Sequence, residues 1–86
     1  MSALLDDFIR HELSDHLVGL IKATVAEAQI NPEIALREFN GNVFDLAFNF
    51  KRSEVIITNI LETDSEGVES LSVDQFLTAI GAPRIT

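Results

Sequence analysis

The sequence predicts an α+β domain: two N-terminal helices, a small antiparallel sheet of two to three strands and a C-terminal helix. Two observations lead there. Apolar residues recur at three- and four-residue steps up to Phe39, and in NVFDLAFNF they switch to strict alternation. Near the carboxy terminus, Ser72 and Gln75 match a capping box ahead of a second helical stripe. Helices segregated to the ends of an antiparallel sheet are one of the few ways to bury both kinds of apolar surface.

Ser2 is placed to cap a first helix, whose apolar residues Leu5, Phe8, Ile9, Leu13, Leu17, Leu20, Ile21, Val25 and Ala28 leave Asp6, Asp7, Arg10, Lys22 and Glu27 between them. It either runs unbroken to about Gln29 or restarts at Ser14, and Gly19 weakens it by about 1 kcal/mol relative to Ala. Asn31 followed by Pro32 reads as the N-cap and first position of a short second helix, with Glu33 at its positive end. That helix is expected to end near Phe39, closed by Asn40 and Gly41.

In the first strand, Phe44, Leu46, Phe48 and Phe50 share one face, and Asp45, Ala47 and Asn49 the other. EVIITNIL is the second strand, after a tight loop at Lys51, Arg52 and Ser53. A loop of two or four residues puts Val55, Ile57 and Leu61 on the Phe face; three residues put Ile56 and Ile60 there. Either register leaves an apolar set on the reverse side, which needs a cover. Residues 67–71 add a short edge strand. Val73, Phe76, Leu77 and Ile80 form the stripe of the closing helix, stopped by Gly81 and Pro83.

With 86 residues, the chain fits a single domain spanning 1–86. Its 47% apolar content and six Phe supply a core. Cysteine is absent, which removes disulfides, thiolate zinc sites and thiol nucleophiles. No apolar run reaches the roughly 18 residues of a membrane span, and Asp6 and Asp7 precede any base, unlike a secretory signal. A cytoplasmic protein is therefore expected. The net charge of −8 argues against nucleic acid, because counterion release needs several Lys or Arg on phosphates.

The carboxylates Glu54, Glu62, Asp64, Glu66, Glu69 and Asp74 fall between Ser53 and Pro83 with no Lys or Arg among them. A surface of one sign steers a basic partner toward it and repels phosphate backbones. The bland alternative is a solvated loop and helix start. Absence of any base over the whole stretch, together with a surplus apolar sheet face, favours an interface with an apolar centre and charged rim.

Other constellations fall short. His11 and His16 are five residues apart and diverge by about 140° on a helix, so they do not make a zincin pair. Helix-surface pairing of His11 with Asp15 and Glu12 with His16 explains that group. Residues 62–76 imitate an EF-hand loop in Glu62, Asp64, Glu66 and Gly67, but Glu69 and Val73 stand where a buried aliphatic residue and the bidentate Glu belong. Asp64 and Ser65 are similar to the attachment site of acyl carrier proteins, although Glu66 replaces the Leu after that Ser and the middle of the chain forms sheet. No cofactor and no metal are expected. With no Cys, Tyr, Trp, phosphate loop or triad spacing, an enzyme is not expected either.

A helix ending in EFNGNVFDLAFNF, a second strand EVIITNIL, an acidic turn ETDSEG and a closing helix SLSVDQFL together resemble the small immunity proteins of bacterial toxin–immunity pairs, including those of contact-dependent growth inhibition. The resemblance covers about Ile9 to Ile80. It implies a non-catalytic cytoplasmic protein that binds a cognate toxin domain, often a basic nuclease, and blocks its active site or substrate path. Lys51 and Arg52 at the hairpin tip depart from the neutral or acidic residues expected there. The expected partner-binding residues are Glu62, Asp64, Glu66 and Glu69 with Asp74 and Asp45, anchored by Ile56 or Ile60. The competing expectation is a homodimer or assembly subunit in which the acids only keep the chain in solution.

Overall fold

In the computed structural model, which describes residues 3–61 and 67–82, the chain runs through two helices, four strands and a last helix. Helices α1 (Ala3–His11) and α2 (Asp15–Ile30) are separate. Ser14 stands between them as the N-cap of α2, its hydroxyl accepting the Leu17 N–H at 3.1 Å. Of the two possibilities for the first helix, the chain takes the restart. Glu12 is thereby freed from any helix and turns toward the sheet.

Strands β1 (Leu36–Asn40), β2 (Phe44–Asn49), β3 (Glu54–Asn59) and β4 (Val68–Ser72) form an antiparallel meander in that spatial order. Asn49 pairs with Glu54, so the β2–β3 loop has four residues and Val55 and Ile57 join the Phe face. Ser53 turns that loop with φ 53, left-handed backbone uncommon for a residue with a side chain. Leu61 lies beyond the strand and is 74% exposed.

Helix α3 (Val73–Ala79) carries the capping box as expected: Ser72 Oγ accepts the Gln75 N–H at 3.0 Å, and Gln75 Oε1 accepts the Ser72 N–H at 3.0 Å. Gly81 follows with φ 80, which a Cβ would disfavour.

All three helices use the Phe face. The core joins Leu5 and Phe8 of α1, Ile21 and Val25 of α2 and Val73, Phe76 and Leu77 of α3 to Phe44, Leu46, Phe48, Val55 and Ile57 of the strands. Every Phe belongs to one connected set: Phe8 meets Phe44 and Phe76, and Phe48 meets Phe39, Phe50 and Phe76, with centroids 5.6–6.0 Å apart. Burying one such ring contributes about 1.5–3 kcal/mol. Leu20, expected on the core stripe, is instead 43% exposed.

The expected second helix over 32–39 does not form. Asn31 ends α2, its N–H donating to Glu27 O, and its side-chain oxygen accepts the Glu33 N–H at 3.0 Å in a local turn. Residues 36–40 then become β1, with Phe39 opposite Leu46 and Arg37 opposite Phe48. Pairing with β2 and the Phe39–Phe48 ring contact outweigh the high helix propensity of Leu, Arg and Glu. The sheet thus has four strands rather than two or three.

Gly41 serves close approach rather than left-handed backbone. A Cβ there would lie 2.7 Å from Phe44 O and 2.9 Å from Glu12 Oε1. Through that gap Glu12 reaches the β1–β2 turn and accepts the N–H groups of Val43 and, at 3.3 Å, Phe44. The surface pairing of Glu12 with His16 is displaced by this tie, and His11 and Asp15 fall on different helices.

Candidate functional site

Alternation along the strands leaves a second sheet face that none of the three described helices covers. Register puts three rows across it: Asn40, Asp45, Thr58 and Val68; Glu38, Ala47, Ile56 and Ser70; Leu36, Asn49, Glu54 and Ser72. None of its aliphatic residues, Leu36, Ala47, Ile56 or Val68, packs against the core. Ala47 and Ile56 are half-buried at the middle, while Val68 is 49% and Leu36 60% exposed. Ile60 follows β3, kept in step by its N–H to Val43 O at 2.8 Å, and is 44% exposed.

The twelve positions carry three carboxylates, Glu38, Asp45 and Glu54, and no Lys or Arg. Asp45 is half-buried, flanked across the strands by Asn40 and Thr58. Glu54 lies 3.7 Å from Arg52 in the adjoining turn, so its charge is partly offset at that end. Arg37, on the other side of β1, lies 3.8 Å from Glu27 of α2. An apolar middle edged by carboxylates can seat an apolar side chain and attract a cation beside it.

Glu69 and Asp74 belong to a different surface. Glu69 is opposite Ile57, which turns it to the helix side of β4. Together with Asp74 it edges a groove of about 710 Å³ floored by Leu5, Leu71 and Ala79. The expected residues are therefore divided: Asp45 and Ile56 share the bare face, with Ile60 at its end, whereas Glu69 and Asp74 lie across the sheet from them. Glu62, Asp64 and Glu66 lie outside the described residues.

Glu38, Ala47 and Val68 were not among the expected partner-binding residues, and Glu54, although counted in the acidic stretch, was left out of them. The parity of Glu54 with Ile56 would have found it once the loop length was fixed. Glu38 was hidden by the helical reading of 32–39, and Val68 needed the β3–β4 register.

Among the described residues, no group of three or more His, Asp or Glu is placed to hold a metal ion, and His11 and His16 are exposed on α1 and α2. No helix among them is long and apolar enough to cross a membrane. No protein-family model matches the chain, and no curated protein or solved structure matches it.

Proposed function

We propose that this chain is a non-catalytic immunity protein, which binds a basic toxin domain in the cytoplasm and neutralises it. The observation that carries this reading is the bare sheet face: an aliphatic middle, three carboxylates and no base. The net charge of −8 and the resemblance to immunity proteins support it. An exposed apolar surface ringed by charge of one sign is costly to keep without a partner, and the sign selects a cationic one. Glu69 and Asp74, on the helix side, add long-range attraction.

The test is growth rescue. The gene next to this one should encode a large secreted protein with a basic terminal domain; that domain, expressed in the cytoplasm, arrests growth, and this chain restores it. Glu38→Lys with Asp45→Lys abolishes rescue while leaving a cooperative thermal transition. If neither the neighbouring domain nor its charge matters, and light scattering at micromolar concentration gives a dimer that survives high salt and both substitutions, the assembly-subunit reading replaces this one.

A further inference from the structure

Resting on that reading, we infer that the bare face receives one amphipathic α-helix of the basic partner, its apolar stripe over Ala47, Ile56 and Val68 and its Lys or Arg side chains on Asp45 and Glu54 at its flanks and on Glu38 at the β1 end of the row. Backbone chemistry selects a helix. Ala47 is on β2 and Ile56 on β3, and each of these strands is paired along both edges. The middle of the face therefore offers side chains only. An extended segment laid over it would leave its own N–H and C=O groups stranded above aliphatic carbon, at a cost of about 1–3 kcal/mol for each group. A helix arrives with those groups already paired.

Charge selects the partner. A second copy of this chain would set Glu38, Asp45 and Glu54 against the same three residues, and join two molecules of net charge −8 each. Arg52, in the turn bordering the face, is already engaged by Glu54 at 3.7 Å. Spacing suits the occupant as well. Asp45 is two residues from Ala47 along β2, and Glu54 two from Ile56 along β3, each about 7 Å from the central row on opposite sides. A helix about 10–12 Å across, seated on that row, brings the long side chains of both its flanks within reach of a carboxylate.

The test pans a phage library of random peptides of about 16 residues, enough for four turns of helix, against the full chain, with Ile56→Asp as counter-selection. Val68→Asp serves instead should the first variant lack a cooperative melting transition. Expected winners place Leu, Ile or Val at three- and four-residue steps with Lys or Arg beside them and gain helical circular dichroism on binding. They shift the amide resonances of Ala47, Ile56 and Val68, and lose about tenfold or more in affinity for Ile56→Asp and Asp45→Lys. Basic peptides that bind as extended strands along β1 overturn the helix and leave the basic-partner reading standing. Helical peptides that sit on the face without any Lys or Arg overturn that reading itself. No enrichment, or winners indifferent to the counter-selection, overturns the inference outright.

Discussion

The two faces of the sheet are built on the same strands and differ only in parity, yet they are packed very differently. On one, Phe48, Val55 and Ile57 have no exposed surface at all and hold three helices; on the other, Ala47 and Ile56 are half-buried and, among the described residues, hold no helix. Stability resides in the odd-numbered side chains of β3 and the even-numbered ones of β2, and the proposed interface uses those between them. Substitutions should therefore separate cleanly into those that unfold the protein and those that disarm it.

The harshest test of that separation is Phe48→Ala. It removes a ring that touches three others and should cost about 3–5 kcal/mol, much of the roughly 4–13 kcal/mol expected for a domain of this size. On the reverse side, Ile56→Ala should cost about 1 kcal/mol or less by urea denaturation followed by circular dichroism. Equal costs would mean that something covers the bare face after all. Next in size are Gly41→Ala and Glu12→Gln, which attack the tie between the α1–α2 junction and the β1–β2 turn. The first forces a Cβ against the Phe44 carbonyl and the second weakens two hydrogen bonds, each at about 1–3 kcal/mol.

Ser72→Ala opens the capping box of α3 and should lower stability by about 1 kcal/mol in the same assay. Gly19→Ala should instead raise it by about 0.5–1 kcal/mol, because nothing stands within 4 Å of the added methyl group. Smallest of all, Asp45→Asn should leave the urea midpoint within about 0.5 kcal/mol of the parent while slowing association with a basic partner, read by stopped flow at low and high salt. A large fall in stability there would place Asp45 among the structural residues and blur the distinction between faces.

Much of this arrangement was legible in the amino-acid order. The alternation Phe44, Leu46, Phe48 fixed β2 and its buried side, and Ser72 with Gln75 marked the start of α3, because both signals are local and chemically narrow. Residues 32–40 misled because Asn31–Pro32 is good N-cap chemistry and Leu36 and Phe39 fit a helical spacing. What decided the matter was distant: a ladder to β2 and the ring of Phe48. Asn40–Gly41 between two apolar runs is also a hairpin signal, and that alternative carried the information. The candidate site was half legible for the same reason. Ile56 and Asp45 followed from alternation, but their meeting with Glu38 depended on a strand not anticipated, and the separation of Glu69 from them depended on β4's register.

The carboxylate of Glu12 holds main-chain groups 31 and 32 positions further along. Deuterium uptake at the Val43 and Phe44 amides, compared with uptake at amides bonded only within the sheet, consequently gauges whether the amino-terminal helix is docked. A pair of exchange rates thus reads out the closure of the longest loop that this tie spans, which identifies when, during refolding, the first segment of the chain joins the rest.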